Sequence, residues 1–193
     1  DQTLNNVTLS TGRKLQVDAG VTLTITGTYN PPTCFVQNDG TIRLQGSALQ
    51  NFPGTNASVI SMNNLIINNA FGVNLNKSIN VTGVLTLTNG TFTVGANTLT
   101  INNPIAGTVA NLSANNTSSI TIAGTAAGVN IPASVSQLNN LTVSNSVGTA
   151  LQGNMKVFGT LFITATAGNV DADLYTLDGA GNLTMNGGNL ILA

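Results

Sequence analysis

The sequence predicts an all-β fold, a right-handed parallel β-helix (β-solenoid) built from rungs of about 20 residues. Short apolar pairs alternate with Asn or Thr and are set apart by Gly, Asn and Ser. They are clearest over residues 63–103, as Leu65/Ile67, Ile79/Val81, Leu85/Leu87, Phe92/Val94 and Leu99/Ile101. Period-two alternation between turn residues is the mark of half-buried strands. The pattern also returns: Asn139-Asn140-Leu141-Thr142-Val143 repeats Asn63-Asn64-Leu65-Ile66-Ile67. Gly148, Leu151, Val157, Gly159, Leu161 and Ile163 each fall 76 positions after Gly72, Leu75, Val81, Gly83, Leu85 and Leu87. An antiparallel β-sandwich is the alternative, since it too is made of short, closely spaced strands.

One apolar pair serves as a register mark along the chain. It runs Leu23/Ile25, Ile42/Leu44, Leu65/Ile67 and Leu85/Leu87, then Ile120/Ile122, Leu141/Val143, Leu161/Ile163 and Leu183/Met185. Other strand-like pairs lie between the marks, so each rung holds two or three short strands. Each strand pairs with its equivalent one rung away, and roughly eight or nine rungs at about 4.8 Å give a rod about 40 Å long. Residues 1–193 are read as a single repeat-built domain. The Asn pairs (Asn5-Asn6, Asn63-Asn64, Asn139-Asn140) suit tight corners, because Asn tolerates left-handed backbone angles and bonds its own backbone. Stacked on successive rungs, their amides could form ladders.

Irregular insertions are expected near 28–38, 47–61 and 104–119. The first contains Pro31-Pro32, which cannot donate to a ladder, and gathers Tyr29, Cys34 and Phe35 in one loop. That loop either folds back over the solenoid or offers a contact patch. Cys34 is the single cysteine. It is read as a small buried hydrophobe or as a thiol joining two chains in an oxidising setting. The stretch 104–138, bracketed by Pro104 and Pro132, keeps apolar alternation and is read as a rung with longer turns.

Composition narrows the function. Charged residues make up 6% and the formal net charge is −1, with Arg13, Lys14, Arg43, Lys77 and Lys156 scattered. Phosphate recognition needs clustered cations, so nucleic acid is an unsuitable partner. No apolar run approaches the roughly 18 residues of a membrane helix, and a membrane barrel would want aromatic girdles. Membrane insertion is therefore not expected. The opening Asp1-Gln2-Thr3 enters a strand pattern directly, as in a processed secreted protein or an excised fragment.

Chemistry is sparse. There is no His and no Glu, so neither a Ser-His-Asp triad nor a Cys/His zinc site can be assembled. No catalytic residue and no cofactor is assigned, and the chain is read as not an enzyme. Asp171, Asp173 and Asp178 form a weak calcium candidate: acids at i and i+2 on a strand share a face, but the Glu of a calcium hand is missing. Thr-x-Thr patterns are frequent. Between the register marks the outward position reads Thr24, Arg43, Ile66, Thr86, Thr121, Thr142, Phe162 and Thr184. Arg, Ile and Phe interrupt any water-ordering array, leaving Thr as a good exposed strand residue. Asn-x-Ser/Thr triplets occur at Asn6, Asn56, Asn80, Asn89, Asn111, Asn116, Asn140 and Asn182, compatible with a glycosylated surface protein.

The phrases Val81-Thr82-Gly83-Val84-Leu85-Thr86-Leu87-Thr88-Asn89-Gly90-Thr91 and Gly95-Ala96-Asn97-Thr98-Leu99-Thr100-Ile101 resemble the Asn/Thr/Gly-rich strand repeats of large secreted surface proteins of the Bacteroidetes type. The resemblance covers most of residues 60–193 and, more loosely, 1–27. It implies secretion, a parallel β-helix and an adhesin-like or filament-like role, and it brings no catalytic residues.

The combined expectation is a non-enzymatic extracellular structural module, a filament subunit or adhesin/stalk segment. An open solenoid leaves backbone groups unpaired at both ends, and neither terminus offers a capping helix or a charge cluster. Association end to end, or continuation in a longer chain, is therefore expected through Leu4, Val7 and Leu9 at one end and Leu190, Ile191 and Leu192 at the other. Tyr29, Cys34 and Phe35 form a further contact candidate. The alternative is a glycan-binding β-helix module, with Tyr175 beside Asp171 and Asp173 as its nearest approach to a sugar platform.

Overall fold

The computed structural model describes residues 1–10, 15–30, 39–54, 60–172, 174–179 and 181–192. Local alternation becomes strands as expected. In Thr41–Leu44, Ile42 and Leu44 face inward and Thr41 and Arg43 outward. Every strand pairing among the described residues is parallel. The strands stack in about eight turns of about 21 residues. The chain is a parallel β-solenoid, and the antiparallel alternative falls.

One face runs through most of the rod as seven strands: Ile60–Met62, Ile79–Val81, Thr98–Ile101, Ser119–Ile122, Asn140–Val143, Thr160–Ile163 and Asn182–Met185. A second face has six: Gln2–Leu4, Thr22–Ile25, Thr41–Leu44, Asn64–Asn68, Leu85–Asn89 and Ala106–Gly107. Shorter sheets close the coil. One is Gln50–Phe52, Val73–Leu75, Phe92–Thr93 and Leu112–Ser113 in the first part. In the second part, Gly148–Ala150, Asn169–Asp171 and Leu190–Ile191 form one sheet, and Gln137–Leu138, Met155–Val157 and Leu177–Gly179 another. Val7–Thr8 pairs with Tyr29–Asn30.

The register marks need one correction. Leu23, Ile42, Leu65 and Leu85 do stack in line, on the six-stranded face. Ile120, Leu141, Leu161 and Leu183 also stack in line, but on the seven-stranded face. The marks form two columns, not one. The reason is arithmetic: 76 is not a whole multiple of about 21, so a phrase repeated after 76 residues lands on a different face. Residues 104–138 absorb the change. The six-stranded face ends at Ala106–Gly107 and a 3-10 turn follows at Val109–Asn111; Leu112–Ser113 then closes the first short sheet, Ser119–Ile122 continues the seven-stranded face, and Ile131 bridges to Leu151.

Core and corners both explain the composition. A single cluster of buried Leu, Ile and Val runs from Val7 to Ala172, each side chain contributing about 1.5–3 kcal/mol on burial. The Asn pairs are not left-handed; no described residue other than Gly has positive φ. Instead their amides bond the next coil. Asn64 Oδ1 accepts the Val84 N–H at 2.8 Å, Asn140 Oδ1 that of Thr160 at 2.8 Å, and Asn6 Oδ1 that of Thr28 at 2.9 Å. Gly83 lies directly over Asn63 and Asn64, where a Cβ would strike both amide oxygens and the Asn63 carbonyl. Amide ladders occur in part, as from Asn102 Nδ2 to Asn80 Oδ1 at 2.7 Å.

Candidate functional site

The same device recurs beyond the Asn pairs. Asp1, Ser78, Asn130 and Asn154 also accept, through side-chain oxygens, the backbone N–H of Thr22, Thr98, Ala150 and Thr176 one coil later, at 2.8–3.2 Å. Each acceptor directly precedes a core-facing or bridging residue: Gln2, Val7, Leu65, Ile79, Ile131, Leu141 or Met155. An Asx or Ser side chain is short enough to reach the neighbouring backbone without leaving the corner. Acceptors sit on the earlier coil and donors on the later one, so the stack has a direction.

At the C-terminal coil this direction leads to an open surface. Leu183 stands in register with Leu161, and Met185 with Ile163. Leu161 and Ile163 are 6% and 0% exposed, whereas Leu183 and Met185 are 54% and 41% exposed. Identical core-facing positions differ only in having a coil above them. Asn182 and Asn189 precede Leu183 and Leu190 as Asn140 precedes Leu141, and both are exposed. A cleft of about 160 Å³ opens here among Val157, Leu161, Leu177, Leu183, Leu190 and Leu192. Its origin is Gly179, which takes the inward position that Val157 fills one coil earlier. A Cβ at Gly179 would meet nothing within 4 Å.

The expected contact residues divide. Leu4, Ile191 and Leu192 are exposed, and Leu190 and Leu9 are half-buried. Val7 and Tyr29 are corrections: both are interior. Tyr29 is 1% exposed and stacks on Phe52 with ring centroids 5.4 Å apart, because the corner above closes over it. Burial pushes the Tyr29 hydroxyl pKa well above its ordinary value. Cys34, Phe35 and Asp173 lie outside the described residues. Leu183, Met185 and Gly179 were missed. The sequence pattern puts Leu183 and Met185 on the register column, and only their position in the last described coil exposes them.

Of the three acids of the calcium candidate, Asp171 and Asp178 are described. Asp171 belongs to the strand Asn169–Asp171 and Asp178 to Leu177–Gly179, in different sheets. Asp178 pairs with Lys156 Nζ at 2.9 Å across adjacent coils. The Lys156 hydrogen bond, then its charge, lowers the Asp178 pKa. Among the described residues no three His, Cys, Asp or Glu side chains are grouped to hold a metal ion.

The outward positions also change once the two columns are separated. Arg43 and Ile66 belong to the six-stranded face. On the seven-stranded face the column reads Asn80, Thr100, Thr121, Thr142, Phe162 and Thr184. Thr121, Thr142, Phe162 and Thr184 of this column, with Thr98, Ser119, Asn140 and Thr160, line a shallow trough of about 350 Å³. Lacking ionisable groups, it offers hydroxyls, amides and one half-buried aromatic ring.

What fold and surfaces define together is a parallel β-solenoid with a polar, nearly uncharged exterior and an apolar axis open at its last described coil. In comparisons with protein-family models, curated proteins and solved structures, the chain matches none.

Proposed function

We propose that this chain is a non-enzymatic structural segment of an extracellular rod, a stalk or filament piece, that joins further β-coils at its ends. The observation that carries this reading is the last coil. Leu183 and Met185 occupy positions that are buried one coil earlier, and nothing local turns them away from solvent. An apolar coil end with unpaired strand backbone is a template for another strand. The neutral Asn/Thr exterior suits a spacer, giving solubility through hydrogen bonding instead of charge. The resemblance to secreted surface repeats supports the extracellular setting. Negative-stain microscopy of the purified chain tests the reading. Rods in multiples of about 40 Å, the stacking length of eight coils at about 4.8 Å, are expected. Compact particles that neither elongate nor join at any concentration would overturn it.

A second reading, a neutral-glycan-binding module, is favoured by Phe162 lying half-buried among hydroxyls in the trough of the seven-stranded face. Aromatic faces with flanking hydrogen-bonding groups suit sugar rings. Specific glycan-array signals lost in Phe162→Ala, from particles that stay single, would replace the first reading by this one.

A further inference from the structure

The trough on the seven-stranded face runs along the rod and not across it. Its lining comes from five successive strands, from Thr98–Ile101 to Asn182–Met185. It therefore extends over about 19 Å, the distance across five strands at the usual sheet spacing. One wall is the column from Thr98 to Thr160, and the other runs from Thr121 through Phe162 to Thr184. Side chains two apart on a strand share a face, so the walls stand about 7 Å apart, room for one pyranose ring. No ionisable side chain lines the trough. Its hydroxyls are also unspent. Those of Thr26, Thr82 and Thr149 donate to carbonyls of the preceding coil at 2.7–3.4 Å. Among the described residues, those of Thr98, Thr121, Thr142 and Thr160 have no partner within the chain.

We propose that this trough takes a neutral, linear β-1,4-linked hexose chain laid parallel to the rod axis, one sugar to each coil, with Phe162 as the stacking platform. This inference rests on the reading of the chain as a neutral-glycan-binding module, and it names the linkage and the direction of the ligand. Coil spacing selects the linkage. A hexose chain whose linking bonds are all equatorial, as in β-1,4-linked glucose or mannose, is a straight ribbon. It advances by close to one coil spacing per sugar, whereas α-1,4 bonds curl the chain away from a straight trough. Charge selects neutrality, because an acidic glycan would find no cation here to pair with. Phe162, half-buried between Thr142 and Thr184 in its column, meets the C–H face of one sugar. The hydroxyls one coil to either side bond those of its neighbours. Threonine suits this role: its hydroxyl both donates and accepts, and its branched Cβ holds it in few rotamers. Each added sugar repeats the same contacts until the trough ends.

Calorimetric titration of the purified chain with soluble oligosaccharides tests this. Affinity for β-1,4-linked gluco- or manno-oligosaccharides is expected to rise with length to about four sugars, the span of the trough at one per strand spacing, and then to level off. It is expected to be insensitive to salt, since no charges meet. Phe162→Ala weakens binding about tenfold or more, and Thr142→Val weakens it about three- to tenfold. Thr86→Val, on the six-stranded face, leaves it unchanged. Circular dichroism checks that each variant keeps its strands. Preference for an α-linked or otherwise bent neutral glycan, or a single sugar bound as tightly as a tetrasaccharide, overturns the ligand assigned here while leaving a glycan-binding module. Preference for an acidic glycan, binding that survives Phe162→Ala, or no binding to any glycan overturns both.

Discussion

The coil carrying Leu161 and Ile163 and the coil carrying Leu183 and Met185 are chemically alike and physically opposite. Both begin with a polar residue before Leu, both place an aliphatic pair inward, and both pair in parallel register with the coil beneath. One pair is covered and the other is open. In a solenoid, burial is conferred by the next coil and not by the strand itself, as expected where each repeat contacts only its neighbours. The difference between core and binding surface is therefore one of position along the stack, and substitutions at matched positions measure it.

The largest effect is expected at the covered aliphatic positions. Leu141→Ala, in the same column and fully buried, should cost about 2–5 kcal/mol in urea unfolding, the usual range for a buried Leu. Leu183→Ala should cost well under about 1 kcal/mol, since the side chain is mostly in water. Equal losses would mean that the last coil is as well covered as the interior.

Glycines sharpen the same contrast with opposite signs. Gly90 has φ +75°, and a Cβ there would collide with the Asn69 carbonyl, so Gly90→Ala should destabilise by about 1–3 kcal/mol through backbone strain and overlap. Gly179→Ala enters empty space at an unstrained φ and should raise stability by about 0.4–1 kcal/mol by restricting the unfolded chain. Thermal melts of the two variants should move in opposite directions.

The corner bonds come next. Asn140→Ala removes the acceptor for the Thr160 N–H and should cost about 1 kcal/mol. Asn182→Ala, one junction short of a partner, should be close to neutral in the dilute chain. The smallest effect is electrostatic. Lys156 lowers the Asp178 pKa in the fold, so the pair's contribution is present above the unfolded carboxylate pKa of about 3.9. It is lost as pH falls through the lower folded value. In a carboxyl NMR titration Lys156→Met should move the Asp178 midpoint upward, with little change in the melt because the pair is solvent-exposed.

Alternation and turn residues made the parallel solenoid legible, down to the in-line stacking of Leu23, Ile42, Leu65 and Leu85. The face change is hidden in the sequence because equal phrases occupy different faces. The spacing of 76 contained the correction, but only against a measured coil length. The Asn corners were found for the wrong reason: their amides reach the following coil, a contact about 20 residues away that local propensity does not describe. Tyr29 beside an insertion and Val7 near the start of the sequence read as surface residues, yet both are buried. Their burial depends on the coil above, which no single strand reveals. Gly179 passed unnoticed because a missing side chain signals nothing until the neighbouring Val157 shows what belongs there.

Hydrogen exchange at the amides of Leu183 and Met185 tests the open last coil most directly. The matching amide of Leu65 donates to the Val84 carbonyl of the coil above at 3.1 Å, and an amide so bonded is protected. At low concentration Leu183 and Met185 should exchange far faster than Leu161 and Ile163, and on raising the concentration their rates should fall toward those of the covered pair. Amides in the last coil that exchange as slowly in the dilute chain as those one coil earlier would contradict an open end.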